Sequence, residues 1–328
     1  MFFEMNSPLS QGFLKTPDDH DLYYAQYGNM QAPAVVVLHG GPGSSCYPGM
    51  LDWFDLTRWR VVLFDQRGCG KSRPTGSLQH NTTGHLVDDI ERLRQHLAIS
   101  EWVVLGGSWG AFLALAYAAE HAQTIRHLLL RGVFLPSRLQ LQWFFQDLRA
   151  LVPQAWQRLT ETMTPAEKAS VFETLASGLL GSDQDRQRDI AQRWGQYEDG
   201  IMAAMMQRND QADRRASKYS EKQQSHEEQT QAMMRRIHKF RIQAHYLHHQ
   251  AFVELPSLLS RLERVGTPVT VVHGTHDWIC PAANIHLLLP YLRQADMRWV
   301  PGGTHTPADP LLLAGLRQAL IDISSSPE

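Results

Sequence analysis

Cysteine is scarce in this 328-residue chain, where Cys46, Cys69 and Cys280 are the whole complement. Three scattered thiols are too few for a disulfide scaffold or for a zinc site built on close ligand pairs. An excess of positive charge is lacking too: 31 basic residues face 33 acidic ones, for a net charge of −2. Nucleic acid and anionic membrane surfaces call for clear Lys/Arg excess, so neither is an expected partner. No uninterrupted apolar run approaches the roughly 18 residues that a membrane-spanning helix needs. The opening stretch MFFEMNSPLSQGFLK has no basic start followed by a continuous apolar segment, so it does not read as a secretory signal. A soluble cytoplasmic protein is the expectation.

What is present is ordinary globular material, with 43% hydrophobic and 20% charged residues, ample for a core. The length suits one elaborated domain or two. Short apolar runs occur at Ala34–His39 (AVVVLH), Arg60–Phe64 (RVVLF), Trp102–Gly106 (WVVLG), His127–Gly132 (HLLLRG) and Pro268–Gly274 (PVTVVHG), with the shorter MRWV at Met297–Val300. Continuous Val and Leu without polar alternation is the pattern of strands covered on both faces. Helical patterns lie between several of them. Leu86, Ile90, Leu93 and Leu97 share one helical face, and AFLALAYAAEHA after Gly110 is apolar nearly all round. Alternating strands and helices predict an α/β fold with a mostly parallel, doubly wound sheet.

From about Ser137 to His249 that rhythm stops and the chain reads as several helices, with Ala191, Trp194, Tyr197 and Ile201 as one packed face. The stretch Gln207–Gln231 is nearly all polar, as expected of a solvated helix or loop, and equally compatible with the edge of a lid. The expected organisation is a discontinuous α/β core, residues 1–137 and 249–328, interrupted by a helical cap at 138–248.

Gly106–Gly110, GGSWG, fits G-x-S-x-G. Such a match arises by chance in roughly one chain in ten, so its setting decides. It follows the strand run WVVLG and opens the apolar helix, which makes the strand–turn–helix elbow that presents a serine at the top of a sheet. A serine hydroxyl needs a histidine base and an acid to orient that base, and in this architecture the chain order is Ser, acid, His. Asp277 lies in THDWICP just after the strand PVTVVHG, and His305 lies in PGGTHTP just after MRWV. Both fall at strand ends, where the reactive groups of parallel sheets gather. The expected triad is Ser108, Asp277 and His305. Acyl transfer also needs donors for the developing oxyanion. The amides of Gly41, in HGGPG (His39–Gly43), and of Trp109, after the nucleophile, are the candidates. His39 itself reads as structural.

Six segments together, HGGPGSS, DQRGCGKSRP (Asp65–Pro74), NTTGHLVDDIERLR (Asn81–Arg94), GGSWGAFLALAYA, LLLRGVF and HGTHDWICP, resemble the proline iminopeptidases. These are α/β-hydrolase serine exopeptidases that remove N-terminal proline. The resemblance runs from about Leu22 to His305, densest in the first 135 residues, and implies no cofactor or metal. It implies that the helical insertion closes over the active site and recognises the free amine of a small peptide substrate. Glu198 in WGQYE matches the acidic residue of the family's Trp-x-x-Trp-Glu motif, with Tyr197 for the second Trp. Arg131 matches an arginine that pairs near this acid. Phe134, Phe144 and Cys280 match the apolar pocket for the proline ring, although Tyr is common where Phe144 stands. FRIQAHYLHH departs from the family pattern A-R-I-E-x-H-Y-F, since Gln243 replaces a second amine-binding glutamate.

An amide can accept a hydrogen bond from an ammonium but gives up the Coulomb attraction. Glu227 or Glu228, on the polar stretch, would then have to compensate. Alternatively the substrate is an uncharged ester or amide. A ligand-binding protein on a retired hydrolase scaffold is the third reading, and the intact Ser108, Asp277 and His305 set weighs against it. His245, His248 and His249 share a helical face but have no carboxylate partner for a metal.

Overall fold

The computed structural model describes residues 7–207 and 226–325. Eight strands form one sheet: β1 (Ser10–Lys15), β2 (Asp21–Gly28), β3 (Ala34–Leu38), β4 (Arg60–Phe64), β5 (Trp102–Gly107), β6 (Ile125–Arg131), β7 (Val269–Gly274) and β8 (Ala295–Val300). Their order is β1-β2-β4-β3-β5-β6-β7-β8. The pairs β1–β2 and β2–β4 are antiparallel and all the others parallel. This is the expected mostly parallel sheet with two further strands at one edge, of which β2 alone runs against the rest.

The helices are α1 (Thr83–His96), α2 (Trp109–His121), α3 (Arg138–Phe145), α4 (Pro153–Leu159), α5 (Pro165–Ala169), α6 (Val171–Leu180), α7 (Gln184–Gln207), α8 (His226–His248), α9 (Leu255–Leu262), α10 (Ala282–Leu288) and α11 (Pro310–Ser325). Successive strand residues point to opposite faces. Val36, Leu38, Val62, Val104 and Leu128 enter an apolar cluster shared with α1, α2 and α9. Val35, Val37, Val61, Val103 and Leu129 enter a second cluster with α11. With both faces covered, the central strands need apolar residues at every position, which is why their sequences run without alternation.

Helices α3, α4, α6, α7 and α8 build a third apolar cluster, in which Ala191, Trp194, Tyr197 and Ile201 are fully buried along α7. One face of α8 is fastened to the sheet side instead. Ile242 and Tyr246 belong to the first cluster, the Tyr246 ring packs 4.6 Å from that of Trp109, and Tyr246 Oη donates to Asn81 Oδ1 at 2.6 Å. His245 Nε2 meets the Asn81 carbonyl oxygen at 2.9 Å. The bases of the sheet and the helical layer are thus joined through α8.

The segment DQRGCGKS is more than a turn. Arg67 donates through Nε to Asp89 Oδ2 at 2.6 Å and through Nη2 to Asp89 Oδ1 at 2.8 Å, and neither side chain is exposed. Nη1 donates to the His80 carbonyl at 2.7 Å and also reaches Asp18. One guanidinium therefore binds the loop after β4 to α1 and to the β1–β2 turn. Removing one partner of a buried pair strands the other charge, at a cost of about 3–5 kcal/mol. Arg67→Met is accordingly expected to lower the thermal midpoint sharply. The double variant Arg67→Met/Asp89→Leu, in which the fully buried carboxylate is gone and only the partly exposed Asp18 loses its partner, should recover part of that loss. Calorimetry of both variants checks this, and equal losses in the two would remove the stranded charge as the cause.

Candidate active site

Ser108 is the single residue between β5 and α2, with φ 57° and ψ −122°, a backbone conformation that residues rarely hold without a functional reason. The flanking sequence makes the turn possible. A Cβ on Gly110 would lie 2.0 Å from the Leu38 carbonyl oxygen, and one on Gly106 would lie 2.2 Å from that of Gly110. The loop after β3 abuts the turn, with the Cβ position of Gly40 only 3.4 Å from Ser108 Cβ. Gly41 lines the same cavity as Ser108. The Trp109 amide is the first of α2, one of the N–H groups that no preceding helical carbonyl reaches. Its indole is fully buried and donates to Gln66 Oε1 at 3.0 Å. Gln66 N–H donates to His39 Nε2 at 3.1 Å, while His39 Nδ1 meets the Gly40 carbonyl at 3.0 Å. With both ring nitrogens engaged, His39 braces this loop.

Asp277 follows β7, and His305 follows β8. His305 Nδ1 lies 2.7 Å from Asp277 Oδ2. The other carboxylate oxygen accepts from the amides of Ile279 and Cys280 at 3.0 and 2.9 Å. Burial works against ionising this fully covered carboxyl, but His305, then His273 and the Cys280 amide, prevail and hold it below the usual carboxylate range. Gly132, at φ +52°, lies against the pair: a Cβ there would sit 3.0 Å from Asp277 Oδ2 and 3.1 Å from His305 Nδ1. Gly132→Ala must therefore push one of the two aside by a few tenths of an ångström, and as a 1 Å misplacement costs about a hundredfold in rate, the loss should be several-fold and at most about a hundredfold. A fall of that size in kcat, with KM little changed, is the expected result. Unaltered kcat would mean that the pair tolerates a shift.

Ser108 and His305 open onto one cavity of about 350 Å³. Phe134, Phe144 and Cys280 line it, together with Met202, Leu247 and Ile279. Phe144 is fixed from behind, since Tyr197 Oη donates to its carbonyl at 2.6 Å and the two rings meet edge to face at 5.4 Å. Glu198 and Gln243 line it too. Gln243 Nε2 donates to Glu198 Oε1 at 3.0 Å, so the two residues singled out from the sequence are in contact.

Two expectations need correcting. Arg131 was placed near Glu198, but at the end of β6 it lies against Gly107 and the backbone of His305. Its Nη1 donates to the His305 carbonyl, its guanidinium covers Gly107, and it is absent from the cavity wall. A buried guanidinium bonds the carbonyl within reach, and Glu198 is held elsewhere. Glu227 and Glu228 are exposed in the first turn of α8, sixteen and fifteen residues before Gln243. At 1.5 Å per residue that is roughly 22–24 Å along the helix, too far to compensate. Most of the polar stretch, residues 208–225, lies outside the described residues.

Several residues of the cavity were missed, Met202, Leu247, Ile279 and Asp199 among them, and Lys239 bears most on the site. Lys239 Nζ lies 2.6 Å from Glu198 Oε2. The signal was its spacing, one helical turn before Gln243 and hence on the same face.

A family profile described as alpha/beta hydrolase fold matches residues 33–295. A proline iminopeptidase of Xylella fastidiosa (strain 9a5c) is 37% identical over 307 residues, covering 93% of each chain. One from Arabidopsis thaliana is 35% identical over 94% of this chain and 78% of its own. Among solved structures, VinJ superposes with a TM-score of 0.64 at 20% identity, over 97% of this chain and 99% of its own. The proline iminopeptidase of Mycobacterium smegmatis does so with 0.60 at 19% identity, over 96% and 99%. At that identity the superpositions speak for the fold, and the curated relatives speak for the lineage. With the elbow, the sheet order and these relatives agreeing, the chain belongs to the proline iminopeptidase family of the α/β-hydrolase fold.

Proposed function

We propose that this protein is a serine exopeptidase that releases N-terminal proline, or a similar small residue, from short peptides. The observation that carries the reading is a single cavity whose lining brings together Ser108 and His305, the aromatic rings of Phe134, Phe144 and Phe145, and the polar pair Glu198 and Gln243. A proline ring fits among those aromatic rings, its amine reaches Glu198 and Gln243, and its carbonyl reaches Ser108. The chain from 138 to 248 acts as the cap over a core made of 1–137 and 249–328.

In the first half-reaction His305 Nε2 takes the Ser108 proton as Oγ attacks the scissile carbonyl. The amides of Gly41 and Trp109 hold the oxyanion, each worth about 2.7–4 kcal/mol, and Asp277 stabilises the imidazolium. The intermediate collapses, the C–N bond breaks, and His305 returns its proton to the departing amine. Water then gives a proton to His305 and attacks the prolyl ester, which frees proline and restores Ser108. A cytoplasmic setting fits the three unpaired cysteines, which a reducing compartment preserves. Among the described residues no helix is long and apolar enough to cross a membrane.

The Glu198–Lys239 pair favours a second reading, an esterase or amidase for uncharged substrates, because Lys239 offsets the Glu198 charge that would attract an ammonium. Rates on Pro, Ala and Leu arylamides, an N-blocked Pro arylamide and a simple aryl ester separate the two. Cleavage of the free Pro arylamide well above the blocked one is expected. Equal rates on both, or turnover of the ester alone, would decide for the second reading.

A further inference from the structure

Lys239 stands where the substrate's amine is to be recognised. Lys239 and Gln243 lie one turn apart on α8, and each holds one oxygen of Glu198, at 2.6 and 3.0 Å. A carboxylate only accepts hydrogen bonds, so Gln243 must turn its NH2 toward Glu198 and its Oε1 away. That Oε1 is buried and without a hydrogen-bond partner among the described residues. This part of the lining therefore holds one unpartnered acceptor beside one cationic donor, with Lys239 offsetting the charge of Glu198 and Asp199 left as the remaining carboxylate of the cavity. An arriving ammonium carries donors only and meets a like charge. An uncharged amine fits both groups, because its N–H donates to Gln243 Oε1 and its lone pair accepts from Lys239 Nζ.

We propose that Lys239 makes this enzyme selective for the uncharged form of the substrate's N-terminal amine. The inference rests on the reading of Glu198 and Gln243 as the amine pocket.

Other charged and titratable groups face the same place. Exposed Asp199 of α7 lines both this cavity and a neighbouring one of about 320 Å³, which Arg235, Arg236 and His238 of α8 also line. The arginines keep their charge throughout, and burial followed by Arg241 lowers the pKa of His238. Burial pushes the thiols of Cys69 and Cys280 well up. His305 completes the set. Every one of these groups belongs to the enzyme, so its titration appears at the same pH whichever substrate is used. The amine's titration belongs to the substrate and moves with it.

A peptide α-amine titrates at about 8, so kcat/KM should rise about tenfold from pH 7 to its plateau. The test compares wild-type profiles for a Pro arylamide and its ring-fluorinated counterpart, whose amine is less basic. The rise should move to lower pH by the measured difference between the two amine pKa values. In Lys239→Met the wall regains the Glu198 charge, and kcat/KM at pH 7 should increase by up to about tenfold while the rise disappears. A rise at the same pH for both substrates overturns the inference and leaves the peptidase reading intact. Loss of activity in a folded Lys239→Met protein does the same. Should neither free-amine substrate turn over while an aryl ester does, the amine pocket itself is wrong and the inference falls with it. The substrate pair is measured on the wild type, so the decision does not depend on how the variant folds.

Discussion

Ser108→Ala is expected to lower kcat on a Pro arylamide by about a millionfold, the scale on which removal of a serine nucleophile acts in other serine hydrolases. The variant keeps its Cβ, and the elbow is set by Gly106 and Gly110 against neighbouring carbonyls, so the fold should survive. What remains is an oxyanion pocket and a base with no hydroxyl to deprotonate. The nearest replacement is Cys280, whose thiol lies against Ser108. Burial, reinforced by the charge of Asp277, pushes that thiol well above its usual pKa, which leaves almost no thiolate at neutral pH. Release of arylamine in a rapid-mixing experiment gives the check. Wild type should show covalent prolyl-enzyme by mass spectrometry under acid quench, and the variant none. Residual turnover above one part in a thousand would point to a different nucleophile, with Cys280 the first to replace.

The strands ahead of Ser108 and Asp277 were legible because two-sided burial of central strands writes continuous apolar runs, whereas β8 ahead of His305 is a half-exposed edge strand with Asp296 and Arg298 in it and showed only as the short MRWV. The outer strands β1 and β2 left no such mark. SQGFLK alternates exposed and half-buried positions along the sheet edge, and DLYYAQYG mixes polar with aromatic residues over a partly covered face. The polar part of the cavity lining was only half legible. Glu198 and Gln243 could be picked out by motif, but the partner of Glu198 depends on how α7 and α8 cross, which no local pattern encodes. Lys239 was therefore unseen, and Arg131 was given a partner that the fold keeps away from it. Ion pairing between distant segments is the property least visible in a single sequence, because a charged residue reads alike whether it faces solvent or an opposite charge.

Asp277→Asn should reduce kcat by about ten thousandfold with little loss of stability, and the local hydrogen bonds say why. Asparagine has the shape of aspartate but one oxygen and one NH2, so its effect depends on which way it turns. The Ile279 and Cys280 amides both donate to Oδ1. An NH2 in that position would set three donors against one another, so the asparagine must keep its oxygen there and direct its NH2 toward His305. His305 Nδ1 then has to accept, which places the ring proton on Nε2, the atom that must receive the Ser108 proton. The base is disabled by its tautomer while the geometry stays in place, and an exchange of this kind costs about 10⁴ in rate. The accompanying signature is a melting temperature close to wild type and an unchanged KM. If Asp277→Ala, which frees the ring to choose its tautomer, proved far slower than Asp277→Asn, orientation rather than tautomer would be the main contribution of this carboxylate. If the two amides do fix the turn, Asp277→Asn should be at least as slow as Asp277→Ala despite keeping the hydrogen bond.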